Sequence, residues 1–312
     1  MTSKFALLFP GQGSQSVGML SELAAESSVI ENTFAEASDG LGYDLWDLVQ
    51  NGTAEALNKT TVTQPALLTS GVAIWRLWKE KGGVDPDFLA GHSLGEYTAL
   101  VVADVFSLAV GAELVKSRGE FMQQAVQPGV GAMAAIIGLD NEGVEKACAE
   151  AAQGEVVAAV NYNAPGQVVI AGLKSAIDRA IIACKDAGAK RALPLTVSVP
   201  SHCALMDPAA EQLRTALESV EFKAPRIAVI NNVDAKSEQD SAMIKEALVR
   251  QLYSPVQWVA CVEALVSGGV ERAYECGPGK VLSGLNKRIA KQVPCHSLQD
   301  LKGLTAAIDG PA

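Results

Sequence analysis

The chain has 312 residues, of which 49% are hydrophobic, and this length and composition favour a large α/β core over disorder. Its 25 basic and 35 acidic residues give a formal charge of −10, which argues against a general nucleic-acid binder. The six cysteines form no CxxC pair, and no apolar run is long enough for a signal peptide or a membrane span. We therefore expect free thiols, no metal site and a cytoplasmic location.

Short strands alternate with helices in the first part of the chain. Residues 5–9 form a continuous apolar run that ends at Pro10-Gly11, and this pattern predicts a buried strand followed by a tight loop. Residues 87–90 predict a second strand. Helical periodicity, with Pro65 in a first turn, predicts helices at 17–25, 33–37, 45–51, 65–81, 96–103 and 108–126.

The pattern changes between Pro128 and Pro200. Strands predicted at 132–138, 156–161, 167–171 and 190–199 enclose helices predicted at 141–152 and 174–187. This βαββαβ order is that of a ferredoxin-like unit. We therefore expect a small subdomain, residues 128–199, inserted into a catalytic body made of residues 1–127 and 200–312.

The rest of the chain returns to the first pattern. Strands are predicted at 227–231 and 270–275, and helices at 207–219, up to Tyr253, at 256–267 and at 281–291. Strands separated by helices predict a mostly parallel sheet with helices on both faces.

The segment Gly91-His92-Ser93-Leu94-Gly95 matches the pattern G-x-S-x-G. Because a predicted strand precedes it and a predicted helix follows it, the segment has the context of a nucleophile elbow. The glycines would allow the sharp turn that presents Ser93 Oγ at the start of a helix. A glycine-rich turn with an incidental serine is the alternative, and the flanking elements make it the weaker one.

A serine nucleophile needs a base, and the chain has three histidines. His92 is adjacent to Ser93, where neighbouring side chains diverge, and His296 lies in the C-terminal tail. His202 follows directly after a predicted strand, where active-site loops of α/β proteins gather, and is our candidate base. No carboxylate is evident as a third member, since Asp207 is better placed as a helix cap. A backbone carbonyl could orient the imidazole instead.

Six motifs follow one another along the chain: Phe9-Pro-Gly-Gln-Gly-Ser-Gln15, Gly91-His-Ser-Leu-Gly-Glu-Tyr97, Asn161-Tyr-Asn-Ala-Pro-Gly-Gln167, Val197-Ser-Val-Pro-Ser-His202, Gln251-Leu-Tyr-Ser-Pro255 and Glu275-Cys-Gly-Pro-Gly-Lys-Val281. In this order they resemble the motifs of the malonyl-CoA:acyl carrier protein transacylases, and the resemblance covers nearly the whole chain. The resemblance implies an α/β-hydrolase-like body. It also implies that Ser93 is acylated and that His202 is the general acid and base. Gln251 lies where the family orients this histidine through a main-chain carbonyl.

The same resemblance implies how substrate is bound. The backbone N–H groups of Gln12 and Leu94 would form the oxyanion hole. Arg118 matches the family's carboxylate-binding arginine, whose planar guanidinium can hold a carboxylate in a bidentate manner. The implied substrates are malonyl-CoA and acyl carrier protein, with no cofactor and no metal.

Docking of an acidic carrier protein to this acidic chain requires a local basic surface. The candidates are Lys190, Arg191, Lys287 and Arg288, with Lys291 nearby. A solvated helix face is the ordinary interpretation of such basic pairs. We expect a monomer that binds neither nucleic acid nor membrane.

Three alternatives to this function are open from the sequence. A serine esterase or thioesterase would use water as the final acceptor, and a non-catalytic carrier-binding subunit would not need the serine at all. A polyketide-synthase acyltransferase module shares the motifs, but we expect a free-standing enzyme. Ser201 replaces the phenylalanine of many relatives, which leaves the preference for malonyl over branched analogues open.

Overall fold

The computed structural model describes residues 3–196 and 199–310, which form two β-sheets flanked by helices. The strands are β1 (Lys4–Phe9), β2 (Phe88–Gly91), β3 (Gly131–Ile137), β4 (Val157–Ala164), β5 (Gln167–Leu173), β6 (Arg191–Pro194), β7 (Ala228–Ile230), β8 (Val270–Glu275) and β9 (Cys295–Ser297). The helices are α1 (Ser21–Glu26), α2 (Val29–Leu41), α3 (Leu45–Asn51), α4 (Ala54–Leu57), α5 (Thr60–Glu80), α6 (Leu94–Val102), α7 (Leu108–Ala125), α8 (Asn141–Ala152), α9 (Lys174–Asp186), α10 (Asp207–Glu218), α11 (Ser241–Tyr253), α12 (Trp258–Ser267), α13 (Val281–Ile289) and α14 (Leu301–Ile308).

The larger sheet has the strand order β7-β2-β1-β8-β9, and its neighbouring strands are parallel. Strand β1 lies at its centre and is buried from its second residue onward, as expected for a parallel strand covered by helices on both faces. Because Phe9 pairs with Gly91, strands β1 and β2 end at the same level. The loops that follow them therefore meet at the carboxyl edge of the sheet, where α/β proteins bind ligands.

The smaller sheet is antiparallel and has the strand order β4-β5-β3-β6. Helices α8 and α9 share a hydrophobic core with it, and the βαββαβ connectivity is ferredoxin-like. The fold class predicted from the sequence is therefore confirmed. The exact boundaries at 127/128 and 199/200 stay a prediction. Val197 and Ser198, in the strand predicted at 190–199, lie outside the described residues.

Edge strand β4 joins the smaller sheet to the body. The N–H of Val256 donates to the carbonyl of Val160 at 2.9 Å, and the N–H of Tyr162 donates to the carbonyl of Val256 at 3.0 Å. The guanidinium of Arg288 in α13 donates to the carbonyl of Pro165, in the turn between β4 and β5, at 2.8 Å. The smaller sheet is thus hydrogen bonded to the loop before α12 and to α13 of the body.

Helix α5 begins earlier than predicted, so the placement of Pro65 in a first turn is wrong. The N–H groups of Val62 and Thr63 both donate to the carbonyl of Lys59 at 2.8 Å, which forms a complete turn before the proline. Pro65 then lies inside the helix. Within the described parts of the chain, no helix combines the length and apolarity required to cross a membrane.

Candidate active site

Ser93 lies on the turn between β2 and α6 with a φ of 52°, a conformation that is costly for a residue with a side chain. Two glycines make the turn possible. A Cβ on Gly91 would lie 1.8 Å from the carbonyl carbon of Gly95, and a Cβ on Gly95 would lie 2.0 Å from the carbonyl oxygen of Phe9. The turn therefore has the strained strand–turn–helix geometry of a nucleophile elbow.

Asn232, which sequence analysis missed, holds the elbow in place. Its Oδ1 accepts a hydrogen bond from the N–H of Ser93 at 2.6 Å, and its Nδ2 donates to the carbonyl of Gly91 at 2.7 Å. The residue is fully buried just beyond the end of β7. The sequence did carry a signal for this residue, which is a polar side chain after a buried strand. Strand β7 neighbours β2 and ends at the same edge of the sheet, so residues that follow the two strands lie close together.

The structure brings His202 to Ser93, with Nε2 2.8 Å from Ser93 Oγ. On the other side of the ring, Nδ1 lies 2.6 Å from the main-chain carbonyl oxygen of Gln251. Since a carbonyl can only accept, Nδ1 carries the proton and Nε2 presents its lone pair to the serine hydroxyl. The imidazole is thus in the tautomer that a general base requires.

Two effects lower the pKa of His202 to about 3. Burial of the imidazole is the larger one, and the nearby positive charge of Arg118 adds to it. The main-chain acceptor at Gln251 opposes both. His202 is therefore neutral, and able to accept a proton, throughout the physiological range of pH.

Arg118 is the third group at the serine. Its Nη2 donates to Ser93 Oγ at 3.2 Å and to Oε1 of Gln251 at 2.9 Å, while its Nη1 donates to Oε1 of Gln64 at 2.8 Å. These acceptors are neutral, and in the described structure Arg118 has no ion pair, although only 1% of the residue is exposed. A buried cation with no carboxylate in direct contact is expensive to maintain, so this arrangement favours an anionic ligand.

Gln251 and Glu96 form a buried layer beneath these groups. Nε2 of Gln251 donates to the carbonyl of Ser93 at 3.1 Å and to Oε2 of Glu96 at 2.8 Å. The same carboxylate oxygen accepts from the N–H of Asn232 at 2.9 Å, and burial raises the pKa of Glu96 to about 7. Sequence analysis missed Glu96, although it is the one charged residue in the apolar segment LGEYTALVV.

The two predicted oxyanion donors follow neighbouring strands. Leu94 is the first residue of α6, and Gln12 lies three positions after the end of β1. The loops are in contact, because a Cβ on Gly11 would lie 2.6 Å from the carbonyl oxygen of His92. Both N–H groups therefore belong to the loops that surround Ser93. Their role in oxyanion binding stays a prediction.

The other two histidines are placed differently. His92 is hydrogen bonded to the smaller sheet, where its Nε2 lies 2.7 Å from Oδ1 of Asn163 in β4. It thereby ties the elbow to the smaller sheet. His296 lies on the short edge strand β9 and is exposed. The described residues contain no group of three or more His, Cys, Asp or Glu side chains that could hold a metal ion.

The basic residues predicted to dock a carrier protein lie around the turn between β4 and β5. The side chain of Lys190 packs against Gly138, whose N–H donates to the carbonyl of Gly166 in that turn at 2.8 Å. Arg191 pairs with the last residue of β3 and is exposed. Arg288 hydrogen bonds to Pro165 in the turn and to Gln167 at the start of β5, and Lys287 is exposed next to it.

The chain is similar in sequence to known acyltransferases. The acyl transferase domain family matches residues 6–284. The malonyl CoA-acyl carrier protein transacylase of Salmonella typhimurium is 60% identical over 306 residues, covering 98% of this chain and 99% of the relative. That of Escherichia coli K12 is 58% identical over 307 residues, with the same coverage. The chain belongs to the malonyl-CoA:acyl carrier protein transacylase family. The resemblance seen in the motifs is thus confirmed.

Solved structures of transacylases match the fold. An acyl carrier protein S-malonyltransferase from Vibrio cholerae superimposes with a TM-score of 0.96 at 60% identity, covering 98% of this chain and all of the other. A malonyl-transacylase in complex with its type II PKS acyl-carrier protein has a TM-score of 0.98 at 58% identity, covering 98% and 99%. The roles of individual residues in this transacylase stay predictions.

Proposed function

We propose that this chain transfers a malonyl group from malonyl-CoA to the phosphopantetheine thiol of an acyl carrier protein, through an ester on Ser93, in fatty-acid synthesis. The observation that carries the proposal is the guanidinium of Arg118, which is buried, has no ion pair among the described residues and lies 3.2 Å from Ser93 Oγ. In a malonyl ester on Ser93, a single CH2 group separates the ester carbonyl from the free carboxylate, so this carboxylate lies close to Ser93 Oγ. Arg118 can therefore hold the acyl group by its carboxylate while Ser93 reacts.

In the first half-reaction, His202 Nε2 takes the hydroxyl proton of Ser93 as Oγ attacks the thioester carbonyl. The N–H groups of Gln12 and Leu94 would stabilise the oxyanion, each worth about 3 kcal/mol in the transition state. When the C–S bond breaks, the departing thiolate of coenzyme A takes the proton back from His202. The products are malonyl-Ser93 and free coenzyme A.

In the second half-reaction, the carrier thiol gives its proton to His202 and its sulfur attacks the malonyl ester. Oγ of Ser93 leaves and recovers the proton from His202, which restores the free enzyme. Gln251 keeps the imidazole in one tautomer during both steps through its main-chain carbonyl. The chemistry needs no cofactor, because malonyl-CoA is itself a substrate.

We further propose that Lys190, Arg191, Lys287 and Arg288 form the surface that receives the acidic carrier protein. Two contacts support this placement. Arg288 hydrogen bonds to the β4–β5 turn, and Asn163 in β4 hydrogen bonds to His92 beside the nucleophile. A carrier bound at this turn would therefore lie close to Ser93.

The location that we propose is the cytoplasm, which the six buried free cysteines favour.

The test is the intact mass of the protein after brief mixing with malonyl-CoA, beside acetyl-CoA as the substrate without a carboxylate. We expect a malonyl adduct that Ser93→Ala abolishes and that holo-acyl carrier protein removes. An adduct that water removes equally fast would instead identify a thioesterase. The absence of any adduct on the wild type would identify a non-catalytic carrier-binding subunit.

A further inference from the structure

Arg118 is held in place by a side chain whose orientation is itself determined by Glu96. Oε1 of Gln251 accepts from Nη2 of Arg118 at 2.9 Å, and Nε2 of the same amide donates to Oε2 of Glu96 at 2.8 Å. A chain of two hydrogen bonds thus links Glu96 to the guanidinium. Glu96 and Gln251 are almost completely buried, so no solvent competes for these contacts.

The amide of Gln251 has one orientation that satisfies its neighbours. Its Nε2 side faces two acceptors, the carboxylate of Glu96 and the carbonyl of Ser93. Its Oε1 side faces a guanidinium, which can only donate. A flipped amide would place an NH2 group against Arg118 and an oxygen against the carboxylate, leaving buried donors and acceptors without partners.

Glu96 has a fixed position because it is held from the other side as well. Its Oε2 accepts from the main-chain N–H of Asn232, in the segment that also supports the elbow. A side chain at position 96 that offers an acceptor at this point therefore determines which end of the Gln251 amide faces Arg118.

We propose that Glu96 is a positioning residue for substrate selectivity, which acts through the Gln251 amide to aim Arg118 at the carboxylate of the acyl group. The proposal rests on the proposed function, because selectivity is measured in malonyl transfer. The acceptor at Oε2 is what matters, and it remains when the carboxyl group is neutral, since the proton can reside on Oε1. Selectivity thus depends on the shape and hydrogen bonding of residue 96 more than on its charge.

Three variants separate these contributions. Glu96→Gln keeps the length and the acceptor but removes the charge, Glu96→Asp keeps the charge but withdraws it from Gln251, and Glu96→Ala removes both. The readout is kcat/KM for malonyl-CoA divided by the acylation rate constant with p-nitrophenyl acetate, whose acyl group has no carboxylate. We expect this ratio to fall about tenfold or more in the Asp and Ala variants and to stay within about threefold of wild type in the Gln variant.

Asn232→Ala is the matched control for support of the elbow. It removes the side-chain contacts to Ser93 and Gly91 but keeps the main-chain N–H that binds Glu96. We expect it to slow both reactions alike, so the ratio stays constant. If the Glu96→Ala protein does not fold, Gln251→Met cuts the same link and keeps the main-chain carbonyl that binds His202. The same drop in ratio is then expected.

Two outcomes would overturn the proposal. One is a proportional loss of both reactions in every variant, which would make Glu96 a structural residue only. The other is a selective loss in the Gln variant and none in the Asp variant, which would make the charge decisive. A wild-type protein that forms no malonyl adduct would overturn the proposed function itself, whereas an adduct with constant ratios would overturn the role of Glu96 alone.

Discussion

Nη2 of Arg118 donates a hydrogen bond to Oγ of Ser93 over 3.2 Å, so the buried cation and the nucleophile are in direct contact before any substrate is present. The same charge helps to lower the pKa of His202. In the function that we propose, one guanidinium would influence both substrate choice and the basicity of the His202 imidazole. Pairing of a substrate carboxylate with Arg118 would then change both effects at once.

The first prediction concerns Arg118→Lys. A lysine ammonium retains the charge but cannot reproduce the planar fork that spans Gln64, Gln251 and Ser93. We expect kcat/KM for malonyl-CoA to fall about 100-fold, while acylation by p-nitrophenyl acetate changes by less than about threefold. Equal losses with both substrates would show that Arg118 supports the serine and not the carboxylate.

The second prediction is the pH dependence of the two half-reactions. In the proposed mechanism neutral His202 is the base, and its pKa is lowered to about 3 in the free protein. The acylation rate at limiting malonyl-CoA should therefore show no loss near pH 6.5, where an ordinary histidine becomes protonated. In the malonyl-enzyme the substrate carboxylate offsets the charge of Arg118, so the pKa of His202 rises. As the pH is lowered, transfer of the malonyl group to the carrier should therefore slow at a higher pH than acylation does.

Stopped-flow measurements of each half-reaction between pH 4.5 and 8 test this, with intrinsic fluorescence at each pH as the control for folding. A common inflection near pH 6.5 in both steps would contradict the assigned environment of the imidazole.

The third prediction concerns stability, for which Glu96 is the informative residue. Burial raises its pKa from 4.5 to about 7, so between these values the folded chain binds more protons than the unfolded chain. The stabilisation from this proton is present below pH 4.5 and is lost as pH rises through 7. Glu96→Gln cannot ionise, so its free energy of unfolding relative to that of wild type should increase between pH 5 and pH 8, by up to about 3 kcal/mol. Urea unfolding at both pH values measures it, and a constant difference would contradict it.

Short motifs with a local physical meaning were the parts of the site that the sequence could predict. The pattern around Ser93 encodes a turn, because glycines are required where a Cβ would collide with the neighbouring backbone, as it would at Gly91 and Gly95. His202 could be selected because the chain offers few histidines, and the family motifs named Arg118 and Gln251. The alternation of strands and helices likewise predicted both sheets.

The supporting residues could not be predicted because their partners are distant in sequence. Asn232 contacts Ser93 across 139 positions, and Gln251 contacts Glu96 across 155. Neither residue type implies such a partner, and only the sheet order brings them together. Helix α14, after the last predicted element, was also missed. Its eight residues bury one leucine, Leu304, so the apolar pattern is weak.

The fourth prediction tests the docking surface by charge reversal. Lys190→Glu combined with Lys287→Glu should raise KM for holo-acyl carrier protein about tenfold, because like charges would then face the acidic carrier. The KM for malonyl-CoA should stay constant. Lys223→Glu is the matched control, since the N–H of Lys223 bonds to the carbonyl of Val105, beyond the end of α6 away from Ser93. If the KM for holo-acyl carrier protein is unchanged in the double variant, or is raised equally in the control, this surface is not the docking site.

The last prediction compares two helical glycines. In Gly95→Ala the new methyl group would lie 2.0 Å from the carbonyl oxygen of Phe9, a backbone atom of the central strand, so β1 and α6 must move apart. We expect a loss of about 3 kcal/mol or more in the free energy of unfolding. In Gly284→Ala nothing lies within 4 Å of the added Cβ, and a gain of about 0.5–1 kcal/mol is expected from helix propensity.

Activity should separate the same two variants. When β1 and α6 move apart, the loop that contains Gln12 moves away from the elbow. Ser93 of Gly95→Ala should therefore be acylated far more slowly, even under conditions in which the variant is folded. Gly284→Ala should retain the wild-type rate. Urea unfolding gives the stabilities, and intact mass after brief exposure to malonyl-CoA gives the rates. Equal stability and equal acylation in the two variants would mean that the contact between Gly95 and Phe9 does not constrain the nucleophile.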